Sequence, residues 1–388
     1  MSSQTAERQK TLEQLKQSDL YRSRTVVDSP QGIYLQVDGR KVLNFCSNDY
    51  LGLANHSDIT QSFKAAVDRY GVGSGSAHLV CGHSKEHHAL EEELADFTGR
   101  ERALLFSTGY MANLGVIAGL MSKGGVVYED KLNHASLLDG GILSGAQFKR
   151  YLHNDLNNLR YKMQNQQDDQ EAMIITDGVF SMDGDVANLS SLAKLAEQKK
   201  SLLMVDDAHG LGVLGATGAG VVEQCQLTQT EVPLLVGTFG KALGTSGAFV
   251  AGSDVLIETL IQQARAYIYT TALPPAIAAA TRTSLKIVRT EQWRREKLMQ
   301  LVAYFRQGAE QLGLQLMPSD SAIQPIVLGE SLKAVQASEG LLKQGIWVSA
   351  IRPPTVAKGS ARLRITFSSE HEIEHVDQLL GALDSLAL

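Results

Sequence analysis

The feature that most constrains the fold is a regular alternation of helical segments and short apolar runs between residues 86 and 251. The pattern predicts helices at residues 86–97, 111–121, 135–143 and 189–198, and strands at residues 103–106, 126–128, 173–176, 202–205, 234–237 and 248–251. Short apolar strands separated by helices are typical of a mostly parallel sheet that helices cover on both faces. We therefore predict an α/β fold for this part of the chain.

The sequence on either side of this region predicts smaller, different structures. A polar, amphipathic helix leads the chain, and a hairpin follows it, with a turn at Asp38-Gly39. After Pro274-Pro275 a long helical stretch runs to about residue 312, and short strands and helices alternate beyond it. We expect three parts: an N-terminal helix and hairpin at 1–55, a large domain with a mostly parallel mixed sheet at 56–275, and a long helix with a smaller C-terminal α+β domain at 276–388.

Composition excludes several functional classes. The 36 basic residues are outnumbered by 42 acidic ones, so the chain lacks the basic excess of a nucleic-acid-binding protein. No apolar run reaches the length of about 18 residues that a membrane-spanning helix needs, and the polar N-terminus predicts no secretion signal. Three scattered cysteines, Cys46, Cys81 and Cys225, predict neither a disulfide framework nor a cysteine-rich zinc site. We expect a cytoplasmic protein.

Three motifs are judged to be weak. Residues 210–215 match GxGxxG, but no helix start follows them, so we reject a dinucleotide-binding fingerprint. The acidic strand end at residues 202–207 lacks the preceding GxxxxGK[ST] of a P-loop nucleotide-binding protein. Four histidines at positions 78, 83, 87 and 88 include an i, i+4 pair, but no HExxH frame is present. We expect these histidines to be solvated or to pack in a loop, and we predict no metal.

The strongest group of polar residues is Asp206, His209 and Lys241. Asp206 ends an apolar strand, and His209 follows three residues later, so the two side chains are expected at one crevice. Lys241 lies in a glycine-rich turn, between Gly240 and Gly244, that connects two further strands. Taken alone, Lys241 would be interpreted as an ordinary surface lysine.

Together these residues match what pyridoxal 5′-phosphate (PLP) requires. A lysine binds the cofactor covalently, and a carboxylate pairs with the pyridine nitrogen and keeps it protonated. His209 can donate to the 3′-oxygen of the cofactor, and the helix start after residue 107 offers backbone N–H groups to its phosphate. His134 can stack on the ring, although a helix-capping or core role fits this histidine equally well.

Five segments carry a resemblance to a known family. They are VDDAHG at 205–210, TFGKALG at 238–244, FSMDGD at 180–185, SNDYLG at 47–52 and NHAS at 133–136. These segments resemble the α-oxoamine synthases, which are fold-type I PLP-dependent transferases that condense an amino acid with an acyl thioester. The resemblance extends from about residue 20 to about residue 370, and it implies that fold for this chain.

The resemblance implies roles for residues at the cofactor. Lys241 corresponds to the lysine that holds PLP and removes the Cα proton of the amino acid, and it forms the catalytic set with Asp206, His209 and His134. Asp206 pairs with the pyridine nitrogen, His209 meets the 3′-oxygen, and His134 stacks on the ring. The remaining implied cofactor contacts are Gly109, Tyr110, Ser181, Thr238 and Thr270. Thr270 resembles residues that reach the phosphate across a dimer interface, so a homodimer is implied.

The resemblance also implies the substrates. Arg364 resembles the clamp for the amino-acid carboxylate, and Arg22, Thr355 and His134 match substrate contacts, while Arg352 lies at the acyl end. The segment IRPPT at 351–355, followed by ARLR at 361–364, is closest to the members that act in biotin synthesis. Those members condense L-alanine with a pimeloyl thioester, carried by coenzyme A or an acyl-carrier protein, and release CO₂ and the thiol.

Two alternatives to this prediction remain at the level of the sequence. A sibling enzyme, glycine C-acetyltransferase or 5-aminolevulinate synthase, would use the same cofactor residues with other substrates. A non-catalytic scaffold or a nucleotide-binding protein on an α/β sheet would need no cofactor lysine.

Overall fold

The computed structural model describes residues 3–18, 20–167 and 169–386. The helices are α1 (Ser3–Gln17), α2 (Ser57–Tyr70), α3 (Lys85–Thr98), α4 (Gly109–Leu120), α5 (Ala135–Leu143), α6 (Leu156–Met163), α7 (Leu189–Gln198), α8 (Val221–Gln224), α9 (Asp254–Gln263), α10 (Arg265–Ile268), α11 (Pro275–Thr290), α12 (Trp293–Gln311), α13 (Ser331–Lys343) and α14 (Ile373–Ser385). The strands are β1 (Tyr34–Val37), β2 (Arg40–Asn44), β3 (Arg102–Phe106), β4 (Val126–Asp130), β5 (Gln147–Tyr151), β6 (Ala172–Asp177), β7 (Leu202–Asp206), β8 (Leu234–Thr238), β9 (Ala248–Gly252), β10 (Ile323–Gly329), β11 (Ile346–Trp347), β12 (Ser349–Ile351) and β13 (Ala361–Thr366).

The chain divides into two compact units. The larger unit comprises Asp49–Ser181 and Asp185–Glu296, and the smaller one comprises the described residues of Met1–Asn48, Met182–Gly184 and Lys297–Leu388. This division differs from the expected three consecutive parts, because both ends of the chain contribute to the smaller unit. Helix α11 belongs to the larger unit, since it packs against α2 and α3.

A seven-stranded sheet forms the centre of the larger unit, in the order β3-β9-β8-β7-β6-β4-β5. Strands β5, β4, β6, β7 and β8 pair in parallel, whereas β9 is antiparallel to both of its neighbours. The sheet is therefore mostly parallel and mixed, and the predicted α/β class is confirmed. Edge strand β5, with the sequence QFKRY, was not predicted because its residues are mainly polar and only Tyr151 is fully buried.

The central strands are apolar and buried because the sheet is covered on both faces. All six residues of β6 are buried, as are the last four of β7. These strands end in Asp177 and Asp206, which are neighbours in the parallel register. Two carboxyl groups therefore lie side by side at the carboxyl end of the sheet, where ligands bind in open α/β folds.

The smaller unit contains two three-stranded sheets, β1-β2-β11 and β10-β13-β12. Strand β11 pairs in parallel with β2, which explains why the N-terminal hairpin and the C-terminal segment form one unit. Helix α1 is exposed along almost its whole length, so the expected amphipathic helix does not bury an apolar face within this chain. Within the described residues, no helix is long and apolar enough to cross a membrane.

Candidate active site

A cavity of about 180 Å³ opens at the carboxyl end of the large sheet. Its lining residues are Gly109, Tyr110, Asn113, His134, Ser136, Asp177, Val179, Ser181, Asp206, Ala208, His209, Thr238 and Lys241. Eight of the nine residues predicted to contact the cofactor are in this set, and Thr270 is not. The structure thus brings together residues that are spread over more than a hundred positions of the sequence.

Asp206 is held in a fixed orientation by two hydrogen bonds. One carboxylate oxygen accepts from Asn113 Nδ2 at 2.6 Å, and the other accepts from the backbone N–H of Ala208 at 3.0 Å. The residue is only 6% exposed. A buried carboxylate is costly unless it meets hydrogen-bond donors or a cation, and a protonated pyridine nitrogen is a suitable cation.

Asp177 is a second buried carboxyl group beside Asp206. Burial raises the pKa of Asp177 well above its ordinary range, and the neighbouring charge of Asp206 raises this pKa further. Its carboxyl oxygen accepts from the backbone N–H of His134 at 3.0 Å. Two adjacent carboxyl groups do not both ionise readily, so the raised pKa of Asp177 favours its protonated form. Asp177 was not predicted as a site residue, although it ends an apolar strand just as Asp206 does.

The ring of His209 is oriented by Tyr50. Its Nδ1 lies 2.7 Å from the hydroxyl of Tyr50, and both residues are buried. Tyr50 lies in the SNDYLG segment, but no role was predicted for it because one tyrosine in a polar loop has no distinctive spacing. The hydrogen bond fixes the plane of the imidazole at the wall of the cavity.

Lys241 lies in the turn between β8 and β9. Gly244 has a φ of +64°, and a Cβ atom at this position would collide with the backbone nitrogen of Ala54. A glycine is therefore required for the turn to approach this backbone so closely. At the start of the turn, the Thr238 hydroxyl donates to the Gly247 carbonyl at 3.0 Å.

The phosphate end of the predicted site is the N-terminus of α4. Thr108 caps the helix, and its hydroxyl accepts from the backbone N–H of Met111 at 3.2 Å. The first N–H groups of a helix have no partners within the helix and attract anions, so Gly109 and Tyr110 suit a phosphate. The Tyr110 hydroxyl donates to the Asp139 carboxylate beside this helix.

The lining residues suit PLP. The cavity presents an amine from Lys241, an oriented carboxylate from Asp206, two imidazoles and a helix N-terminus beside Thr238. These groups match, in order, the aldehyde, the pyridine nitrogen, the ring with its 3′-oxygen, and the phosphate. His134 also caps helix α5, so the helix-capping interpretation and a place at the cavity both hold.

Of the predicted substrate residues, His134 lines the cavity, whereas Thr270 and the four other predicted substrate residues are not among its lining residues. Thr270 is half-buried just after α10, beside Tyr269, which is 71% exposed. In the smaller unit, Arg22 donates to the Thr355 hydroxyl at 3.2 Å, and Arg352 donates to the Tyr21 carbonyl at 3.1 Å. These bonds tie the chain near residue 22 to the segment 352–355.

Arg364 is also in the smaller unit and is buried. Its guanidinium donates to the Asn48 side-chain oxygen at 3.2 Å. The nearby Arg362 is occupied differently, since it forms an ion pair with Asp183 and donates to the Met182 carbonyl. Arg362 therefore has a structural role in this unit.

His78 and His87 are buried, so the solvated alternative of the prediction is wrong for these two histidines, whereas His88 is exposed. Nδ1 of His87 accepts from the Ser84 N–H at 2.9 Å, and its Nε2 donates to the Leu273 carbonyl at 2.7 Å. Burial lowers the pKa of His78 to about 3, and its Nδ1 lies 2.9 Å from Nδ1 of His83. The charged face of α3 was misleading, because the histidine ring packs on the opposite, apolar face with Leu90 and Leu94.

The first glycine of the rejected GxGxxG motif, Gly210, and the later Gly220 pack against a buried carboxyl group. A Cβ atom on Gly210 or Gly220 would collide with the Asp207 carboxyl oxygens. Asp207 accepts from the Val221 N–H at 2.6 Å, and burial raises the pKa of Asp207 to about 8. The glycines therefore make room for Asp207.

Comparison with known proteins agrees with this geometry. The model of the aminotransferase class I and II family matches residues 40–383. The chain belongs to this family. It is 59% identical over 380 residues to an 8-amino-7-oxononanoate synthase of Saccharophagus degradans, and the aligned region covers 97% of this chain and 96% of that protein. The resemblance to the α-oxoamine synthases is thereby confirmed.

Solved structures support the fold and the cofactor. A serine palmitoyltransferase variant from S. paucimobilis, solved with a PLP–myriocin aldimine, superposes with a TM-score of 0.93 at 29% identity, over 99% of this chain and 97% of that one. An 8-amino-7-oxononanoate synthase from Francisella tularensis superposes with a TM-score of 0.78 at 33% identity, over 89% and 97% of the two chains. The fold is that of a fold-type I PLP-dependent transferase, and PLP is the cofactor.

Proposed function

We propose that this chain condenses L-alanine with a pimeloyl thioester, releasing CO₂ and the free thiol and forming 8-amino-7-oxononanoate for biotin synthesis. The observation that carries the proposal is the convergence of Lys241, Asp206, His209 and His134 in one cavity beside the N-terminus of α4. The support for the specific substrates is the 59% identity to curated 8-amino-7-oxononanoate synthases over nearly the whole chain.

Each of the cavity residues has a separate role in the proposed reaction. PLP bound here supplies an electron sink that stabilises negative charge developing at the Cα of alanine. Lys241 holds the cofactor and then moves the Cα proton, because its amine is the base within reach. Asp206 keeps the pyridine nitrogen protonated, His209 donates to the 3′-oxygen, and His134 covers one face of the ring.

The phosphate contacts are proposed on the same grounds. The backbone N–H groups of Gly109 and Tyr110 bind the phosphate at the helix start, with help from Ser181 and Thr238. Thr270 of a second subunit completes this contact, so the working form is a homodimer. The described cysteines are free thiols, which fits a cytoplasmic enzyme.

Arginines are proposed to select the substrates. Arg364 binds the carboxylate of alanine, since a guanidinium matches a carboxylate with two parallel hydrogen bonds. Arg22 and Thr355, already joined by a hydrogen bond, contact the substrate together. Arg352 meets the distal carboxylate of the pimeloyl chain, which an acetyl group does not carry.

A CO₂-release assay tests the proposal. The purified protein with PLP is given alanine or glycine against pimeloyl, acetyl and succinyl thioesters, each carried by coenzyme A and by acyl-carrier protein. We expect turnover with alanine and a pimeloyl thioester and little with the other pairs. Faster turnover of glycine with acetyl- or succinyl-coenzyme A would assign the chain to glycine C-acetyltransferase or 5-aminolevulinate synthase. Failure to develop a visible absorption band with PLP would leave only a non-catalytic protein.

A further inference from the structure

Two uncharged residues connect the predicted catalytic groups of the cavity. Asn113 lies on the buried side of α4, and Ser136 lies in the first turn of α5, and each is at most 1% exposed. The proposed function assigns neither side chain a contact with the cofactor or the substrate. Both nevertheless form hydrogen bonds to residues that do.

The hydrogen bonds form one continuous chain. Asn113 Nδ2 donates to Asp206 at 2.6 Å and to the Ser136 hydroxyl at 2.9 Å. The Ser136 hydroxyl lies 2.8 Å from Nδ1 of His134. The path from Asp206 to His134 therefore runs through two side chains of residues that are at most 1% exposed.

The direction of these bonds follows from the donors available. The Ser136 backbone N–H, which can only donate, lies 3.3 Å from Nδ1 of His134. Nδ1 must therefore be an acceptor, and the single proton of a neutral His134 is on Nε2. Since the Ser136 oxygen already accepts from Asn113, its own hydrogen is available for Nδ1.

The hydrogen bond from Asn113 also fixes the orientation of the Asp206 carboxyl group at the other end of the chain. An amide nitrogen can donate to an ionised carboxylate at 2.6 Å, and a hydrogen bond to the charged form favours that form. Asn113 uses both hydrogens of one NH₂ group, one for Asp206 and one for Ser136. Turning the amide round would place its oxygen against the carboxylate and break the bond to Asp206.

We propose that Asn113 and Ser136 are positioning residues that hold His134 as the neutral Nε2–H tautomer and Asp206 as the oriented carboxylate. His134 can then donate through Nε2, but it cannot accept a proton at Nδ1 without losing two hydrogen bonds. The protonation states belong to the protein alone, whereas their catalytic consequence rests on the proposed function. Burial also lowers the pKa of His134 and the charge of Lys241 adds to this lowering, while the charges of Asp206 and Asp139 oppose it; the net lowering agrees with a neutral ring.

The first test needs neither cofactor nor substrate. In the cofactor-free protein labelled with ¹⁵N-histidine, the His134 signal is assigned by its loss in His134→Gln. We expect the Nε2–H tautomer and no protonation of His134 at its ordinary pKa. Ser136→Ala should raise the pKa of His134 and admit the other tautomer, and Asn113→Leu should do the same. The two changes combined should add little, because they interrupt one chain.

A buried asparagine in the smaller unit is the matched control. Asn44 donates to the Gly32 carbonyl at 3.2 Å and accepts from the Cys46 N–H at 3.0 Å, so Asn44→Leu also removes two buried bonds. This variant should leave the His134 signal unchanged. An Nδ1–H tautomer of His134 in the unaltered protein would overturn the proposal. His134 signals in Ser136→Ala and Asn113→Leu that are identical to that of the unaltered protein would overturn it as well. If Asn113→Leu does not fold, the comparison of the His134 signal between Ser136→Ala and the unaltered protein decides whether the proposal holds.

Kinetics provide the second test. In the PLP-bound enzyme, Asn113→Leu should lower kcat for CO₂ release roughly tenfold or more while KM for alanine changes little, because catalytic groups lose their alignment. An unchanged kcat would contradict positioning. If no substrate pair releases CO₂ but His134 still shows the Nε2–H signal, the proposed function is rejected. The tautomer assignment then still holds.

Discussion

Two neighbouring aspartates at the carboxyl end of the sheet are predicted to differ sharply in function. Asp206→Asn should keep the fold but lower kcat roughly 100-fold or more, since an amide cannot hold the pyridine nitrogen protonated. Asp177→Asn is the matched control: the raised pKa of Asp177 favours its protonated form, which an amide resembles. Its kcat should fall much less than that of Asp206→Asn. Steady-state CO₂ release and thermal unfolding of both variants check the prediction, and near-normal turnover of Asp206→Asn would contradict it.

Lys241 is predicted to hold the cofactor covalently. Borohydride reduction of the PLP-bound protein, followed by peptide mapping, should label the peptide that contains Lys241. Lys241→Ala should leave the protein folded and the peptide unlabelled. Label on another lysine in the unaltered protein would refute the assignment.

Arg352 is predicted to distinguish the acyl substrates. Arg352→Met should raise KM for the free-acid pimeloyl thioester roughly tenfold or more, with KM for alanine nearly unchanged, because an unpaired carboxylate is costly to bury. A thioester whose distal carboxylate is masked as a methyl ester is the control, and its KM should not respond. Equal increases for both thioesters would show that Arg352 contacts another part of the substrates.

At the scale of single elements, strand β4 contains a buried glutamate that should make stability depend on pH. Burial raises the pKa of Glu129 from its ordinary value of 4.5 to about 8, against the opposing effects of Asn133 and Arg150. The folded protein keeps a proton that the unfolded chain releases, so this group's stabilisation is complete below about pH 4.5 and is lost as pH rises through about 8.

Glu129→Gln removes this dependence. Relative to the unaltered protein, the variant should gain stability between pH 5 and 9, on the order of 1–3 kcal/mol at the upper end. Urea unfolding at several pH values measures the difference. Glu171→Gln is the control, since Glu171 is exposed, and its difference should stay flat with pH. If the difference in stability between Glu129→Gln and the unaltered protein is also independent of pH, the buried Glu129 carboxyl group is already ionised at low pH.

The elements and the site were predictable to different degrees. Strands such as β6 and β7 are continuous apolar runs, so their positions and parallel pairing followed from the sequence. Residues such as Lys241 and Asp206 lie in long motifs at strand ends. Asn113, Ser136 and Tyr50 are single polar residues whose importance depends on neighbours distant in the chain. No local pattern indicates such contacts, so only the structure could reveal them.

At the scale of the whole molecule, the two units show that domain boundaries do not always follow the order of segments in the sequence. The expected boundaries at residues 55 and 275 assumed consecutive parts, yet the parallel pairing of β11 with β2 joins both ends of the sequence. Pairing between distant strands has no signature in local periodicity. The same limit applies to Thr270, whose predicted cofactor contact requires a second copy of the chain.

A complementation experiment tests that second copy. Lys241→Ala removes the cofactor lysine, and Thr270→Glu should repel the phosphate by placing a negative charge beside it. Each variant alone should be inactive. If a site combines Lys241 of one subunit with Thr270 of its partner, a mixed dimer has one site with both residues intact. Random mixing of equal amounts then gives half mixed dimers and restores about a quarter of the native sites.

If both residues instead act within one subunit, no mixed dimer has an intact site and activity stays absent after mixing. Thr290 is the last residue of helix α11. Thr290→Glu is the control and should not impair activity on its own. Sedimentation of the unaltered protein at assay concentration completes the test. A fully active monomer would remove the prediction, because Thr270 is not among the residues that line the cavity of its own chain.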